Sequence, residues 1–356
     1  MFYLFNLLLI PIYYFLIQKS SSNRQKNNEL FFKVVCIHAV LFRVLANPLN
    51  YTDTQGYALA FENISKMSFS ECLTCFYVDW GIGYVVLNWL LSRISSDPLI
   101  LFTFLSVATV GGVMLFYKKT SHAYLLTVMF YLMYPMLYYM SFGVVRQHFS
   151  IVFLLAALYN IRNYKISIPL AVLGALMHSS SFIFLPFFIW QKFRFDRKPV
   201  VFYLACAIVI VVVFRGAISA ILAYFPHNEN FADEGSNNIV PIVVFGVTAF
   251  LLYLSGASKR LQTATERNIY SFLLYGLVIS LCAFGYAGGG RLPLVFMYII
   301  PVVLTYLKKY TGQKGAWYYP WCFALFCLII LLLYIAYDPM KYDYKTIFES
   351  ATYYML

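Results

Sequence analysis

The sequence predicts an all-α protein, a polytopic bundle of about twelve membrane-crossing helices with one half-span, forming one transmembrane domain over residues 1–356. Three observations carry this. The chain is 62% hydrophobic and only 11% charged, less than half the charge a soluble chain uses to hydrate its surface. Apolar runs recur from end to end with short polar joints between them. The joints also differ systematically in charge. Backbone amides in hydrocarbon must pair within their own segment, so runs of this length are read as helices and not as buried strands.

The predicted spans, in order, are 2–17, 30–46, 99–117, 122–140, 143–159, 166–178, 179–190, 199–214, 239–254, 269–285, 291–307 and 317–336. The first has no basic segment ahead of it and no small-residue cleavage site behind it, which predicts a retained helix and not a signal peptide. The run 81–94 is short and interrupted by Asn88 and Arg93. A half-span or interfacial helix is expected there. The region 47–98 forms a long loop with a surface helix near 55–69, 215–238 forms a second loop with the acidic run Glu229, Asp233 and Glu234, and 337–356 is a Tyr-rich tail.

Charge orients the bundle. Joints 18–29, 118–121, 160–165, 191–198, 255–268 and 308–316, with Lys33, hold eighteen basic residues against three acids, and the rest of the chain holds eight against eleven. Basic joints stay cytoplasmic, so both termini and the loops 47–98 and 215–238 face outward. The same pattern accounts for the net charge of +12 without nucleic acid. The scheme requires that 81–94 not cross fully.

Ionisable residues at membrane depth are costly and mark function by default. Asp53, Asp79, Arg146, His178 and Arg291 all fall at the outward ends of their segments. Two guanidiniums with carboxylates and an imidazole on one face suit a phosphate-bearing anionic substrate, because the planar guanidinium grips phosphate oxygens in pairs. Arg291 follows Gly288, Gly289 and Gly290, a loop whose backbone can approach a ligand closely. Arg43 and Arg215 either join this basic site or anchor helix ends. His38 and His148 are read as bonded within the bundle.

The chain lacks a Walker loop, a dinucleotide fingerprint, H-E-x-x-H, G-x-S-x-G and a D-x-D pair, which removes nucleotide, zinc-protease and serine-hydrolase chemistry. A lipid-linked donor with no metal and no cofactor is expected instead. Five of the seven cysteines lie in apolar runs as small fillers, and Cys72 and Cys75 share an outer loop where a disulfide or half a metal site is open. The 32 Tyr and 34 Phe offer surfaces on which sugars stack.

The order of these pieces resembles the EpsG family of Wzy-type polysaccharide polymerases. The matching segments are YTDTQGY at 51–57, DWGIGY at 79–84, VRQHFS at 145–150, MHSSS at 177–181, GGGRLPL at 288–294 and KTIF at 345–348. One departure stands out: Asp79-Trp80-Gly81 occupies the place where the family usually has Glu followed by Pro-Gly. The resemblance implies a GT-C-like fold and a glycosyltransferase in the bacterial cell (inner) membrane. Its active site would face outward and polymerise undecaprenyl-pyrophosphate-linked oligosaccharide units, with a chain-length regulator as partner. It further implies Arg146, Arg291, Gln147 and Arg215 on the pyrophosphate, Tyr57 and Tyr84 against sugar, and a general base among His178, Asp53 and Asp79.

Three other readings are weighed against this one. A flippase of the same lipid-linked unit would show two-fold internal similarity and a central polar cavity, and neither is visible in the sequence. An O-acyltransferase would place a carboxylate beside an early histidine, and His38 has none. O-antigen ligase differs only in acceptor and separates poorly on sequence.

Overall fold

A computed structural model describes residues 2–20, 22–192, 239–284, 292–310 and 344–348, with the single positions 205, 209 and 332. Among these residues every regular element is helical, and the β-pairing is an isolated antiparallel bridge between Ala46 and Thr346. Apart from those single positions, the predicted spans 199–214 and 317–336 and the loop 215–238 lie outside the described residues.

Helices α1 (Phe2–Ser20) and α2 (Arg24–Val44) pair across a short turn. The second starts six residues ahead of expectation because the Asn23 side chain accepts the Lys26 amide at 3.1 Å, an N-cap that carries helix into the polar joint. The region 47–98 folds as α3 (Thr52–Ser65), α4 (Phe69–Thr74), a 3-10 turn (Phe76–Trp80) and α5 (Ile82–Ser92). Hydrogen bonds from Asn63 to the Tyr77 hydroxyl at 2.8 Å and from Trp89 Nε1 to the Met67 carbonyl at 3.2 Å tie these pieces together. The eleven residues of α5 reach only about 16 Å, half the hydrocarbon thickness. Next comes α6 (Leu99–Thr120), which among the described residues is the one helix long and apolar enough to cross a bilayer by itself.

Three expected spans are broken, each at a proline. In place of 122–140, α7 (Tyr124–Met133) stops where Tyr134 turns extended at ψ 112°, because Pro135 disfavours helical geometry in the residue before it. The chain then winds through a 3-10 turn (Met140–Phe142) into α8 (Val145–Tyr159), followed by α9 (Tyr164–Met177). The span 179–190 is a 3-10 segment (Ser179–Phe184) and, after Pro186, the short α10 (Phe187–Lys192). Beyond α11 (Val240–Leu254) and α12 (Ala264–Cys282), the span 291–307 divides into α13 (Leu294–Met297) and α14 (Ile300–Tyr310). Pro301 there has no N–H to return to the Met297 carbonyl.

Breaks inside hydrocarbon must have their carbonyls satisfied from within the bundle. Side chains of other helices do this. Tyr117 donates to the Tyr298 carbonyl at 3.0 Å, Tyr298 to the Leu137 carbonyl at 3.1 Å, Tyr275 to the Ile183 carbonyl at 2.9 Å, and Arg43 Nη2 to the Ser141 carbonyl at 2.6 Å.

The basic joints meet at one end. Lys119 lies 4.9 Å from the Tyr159 ring beside joint 160–165, Gln191 donates to Asn268 at 2.9 Å, and Arg260 donates to the Tyr310 carbonyl at 2.8 Å. Glu266, 3% exposed, gathers His122, Lys309 and Tyr310 at 2.8–2.9 Å together with the amides of Gln262 and Thr263. The opposite end carries the site.

Candidate functional site

Four stretches distant in sequence converge at the end opposite the basic joints: the first turns of α3, the turn Phe76–Trp80 leading into α5, the start of α8, and the residues after α9. A glycine makes the closest of these approaches possible. Gly81 has φ +117°, and a Cβ there would stand 2.6 Å from the Leu176 carbonyl oxygen, so the loop holding Asp79 and Trp80 lies directly on the end of α9, one residue from His178.

Arg146, in the first turn of α8, extends into this loop. Its Nη1 donates to the Trp80 carbonyl, and its guanidinium lies 5.1 Å from the Tyr57 ring, 5.1 Å from Trp80 and 5.5 Å from Tyr84. Such cation–ring contacts are worth about 0.5–2 kcal/mol each, and together they fix the side chain. Its Nε is buried without a hydrogen-bond partner. Tyr57 is 7% exposed and Tyr84 1%. The two rings expected to face sugar pack against the guanidinium, and Trp80, which was not among the expected site residues, completes the cage.

The next residue opens a second line of contacts. Gln147, buried, donates from Nε2 to Ser180 Oγ at 3.2 Å, and Ser180 Oγ lies 2.8 Å from His178 Nδ1. The Ser180 backbone amide also donates to Nδ1, at 3.2 Å. A nitrogen that accepts an amide N–H is unprotonated, so the proton of a neutral imidazole sits on Nε2. His148 lies deeper, fully buried and bonded through Nδ1 to the Tyr298 hydroxyl. This matches the expectation of a bundle-bonded histidine. His38 is likewise bonded to Asn6 and to the Tyr13 hydroxyl.

The carboxylates are placed less alike. Asp79 is exposed and immediately precedes Trp80, whose carbonyl holds Arg146. Asp53 is exposed in the first turn of α3, one helical turn ahead of Tyr57. Arg291 and Arg215 lie outside the described residues. Cys72 and Cys75 are free thiols, with Cys75 Sγ donating to the Cys72 carbonyl at 3.2 Å, so the disulfide left open by the sequence is not formed. No group of three or more metal-ligating side chains occurs among the described residues.

Against known proteins, the chain matches the EpsG family over residues 33–348. No curated protein and no solved structure matches it.

Proposed function

Because the chain belongs to the EpsG family, a family of Wzy-type polysaccharide polymerases, we propose that it is a membrane glycosyltransferase that joins undecaprenyl-pyrophosphate-linked oligosaccharide units on the outer face of the bacterial cell membrane. About twelve spans in a GT-C-like arrangement and a chain-length regulator as partner belong to the same reading. The observation that supports it best is the linkage of Arg146, Gln147, Ser180 and His178 at the end of the bundle away from the basic joints.

The reaction breaks the bond between the anomeric carbon of the growing chain and its lipid diphosphate and forms a glycosidic bond to a hydroxyl of the next unit. The electron pair leaves on the diphosphate, and the hydroxyl proton passes to a base. Arg146, held by its aromatic cage, supplies fixed positive charge where the diphosphate charge develops, with Gln147 and, from the sequence, Arg291 and Arg215 beside it. His178 enters as an Nε2–H donor to the same anion, since Nδ1 already accepts the Ser180 amide. That leaves a carboxylate as base. Asp79 has the nearer tie to Arg146 through Trp80, and Asp53 is the alternative.

Exchange of Arg146 for Lys and for Ala in the producing cell tests this. Lys keeps charge but not the planar fork, so shortened polymer is expected. Ala is expected to reduce polymer about 100-fold and leave single units exposed outside the membrane. Normal ladders from both variants at normal expression, or units trapped inside the cell, contradict the proposal.

A further inference from the structure

Arg43, near the end of α2, is 3% exposed. Its Nη2 is bonded to the Ser141 carbonyl and its guanidinium lies 5.7 Å from the Phe142 ring, but Nη1 has no hydrogen-bond partner. Among the described residues no carboxylate pairs with it. An interior cation with an unmatched donor is expensive, and an anion in contact with it would remove that cost.

A cavity provides the place. A cavity of about 90 Å³, open to the outside, is lined by Arg43 together with the hydroxyl-bearing Thr103 and Ser106 of α6. The remaining wall is mostly apolar, with Leu99 and Phe102 from α6, Val145 from α8, and Ile347 from the tail. Leu99 is 41% exposed, so the cavity sits beside a surface open to lipid. The tail segment is built in: the Ile347 amide donates to the Leu45 carbonyl at 2.9 Å, the Asn47 amide to the Lys345 carbonyl at 2.7 Å, and Tyr344 stacks on Phe42 at 4.3 Å. Val145, in the cavity wall, directly precedes Arg146, so this cavity lies next to the site described above.

We infer that the Arg43 cavity seats the phosphate end of a single-chain isoprenoid lipid, its phosphate oxygens on Arg43 and its first isoprene units against Leu99, Phe102, Val145 and Ile347. The inference rests on the polymerase reading for the identity of the lipid as carrier. It does not rest on that reading for the site. One charged donor group set among apolar walls matches a phosphate joined to a hydrocarbon chain.

The test uses the full chain in phosphatidylcholine nanodiscs with farnesyl diphosphate as probe, and with farnesol and phosphatidylglycerol as separate arms. Binding is measured for wild type, Arg43→Met and Ile347→Trp; the second fills the cavity while leaving the charge in place. Affinity lower by roughly 10-fold or more is expected in both variants, from the lost charge-assisted contact in Arg43→Met and from the filled cavity in Ile347→Trp, with no Arg43-dependent binding of farnesol and no competition by phosphatidylglycerol. Unchanged binding in either variant overturns the inference. Equal competition by phosphatidylglycerol also overturns it and assigns the cavity to bulk anionic lipid. If polymer formation survives loss of Arg146 while farnesyl diphosphate still needs Arg43, the polymerase reading fails and the cavity assignment stands. If the Arg146 variants abolish polymer while Arg43→Met binds normally, the reverse holds.

Discussion

The Ser180 amide sets the tautomer of a neutral His178, because a backbone donor on Nδ1 leaves Nε2 as the protonated nitrogen. Nitrogen-15 shifts of His178 in lipid are expected to show the Nε2–H tautomer, and an Nδ1–H tautomer would return His178 to the list of bases. Gly81 offers a second test. Replacing it with Ala forces a side chain to φ +117° and into the Leu176 carbonyl, a strain of about 1–3 kcal/mol. A lower melting temperature and less polymer are expected. Gly56→Ala is the control, since an added Cβ there meets nothing within 4 Å. Arg146 and His178 were legible in the sequence because charge inside an apolar run is conspicuous. Trp80 and Ser180 were not, since part of what each does runs through the backbone, the Trp80 carbonyl to Arg146 and the Ser180 amide to His178, and such contacts leave no mark on residue type. Arg43 was visible as a residue, but its missing partner appears only in three dimensions.

At the level of elements, hydropathy located the segments and missed their interruptions. The spans 122–140, 179–190 and 291–307 are mostly apolar, but Pro135, Pro186 and Pro301 divide them. The tyrosines and Arg43 that satisfy the freed carbonyls come from other helices, so periodicity along one segment gives no sign of them. At the other end, Glu266 joins α12 to α14 and to the turn before α7. Burial pushes its carboxyl upward, but hydrogen bonds from Lys309, the Thr263 amide, Tyr310 and His122 outweigh this and bring it down to about 2 from the usual 4.5. A carboxyl depressed on folding stabilises the fold above its unfolded value and loses that contribution as pH falls through its folded value. Thermal stability in detergent is therefore expected to fall between pH 4.5 and about 2. Glu266→Gln is expected to melt lower at neutral pH and to respond less to acid over that window. Equal melting curves for the two proteins would remove Glu266 as a lock between these helices.

Across the whole molecule, the sequence foretold the grouping of basic joints because charge sorts by side of the membrane whatever the packing. Lys119, Gln191, Arg260 and Glu266 do connect joints far apart in the chain. The half-length of α5 was legible from its short apolar run. The docking of 344–348 on the end of α2 was not, since backbone hydrogen bonds, which leave no pattern in residue types, act there beside the single stack of Tyr344 on Phe42. In a cysteine-free background, Asp53→Cys is expected to react with an impermeant maleimide from outside the cell, and Lys259→Cys only after lysis. Labelling of both from the same side would refute the orientation.

The most direct measurement is polymer formation by the purified chain in liposomes supplied with its lipid-linked repeat unit. The wild type is expected to lengthen the glycan and release one lipid diphosphate for each linkage made, while Arg146→Ala does neither. Translocation of intact lipid-linked units without chain growth, or growth undiminished in Arg146→Ala, would contradict the account.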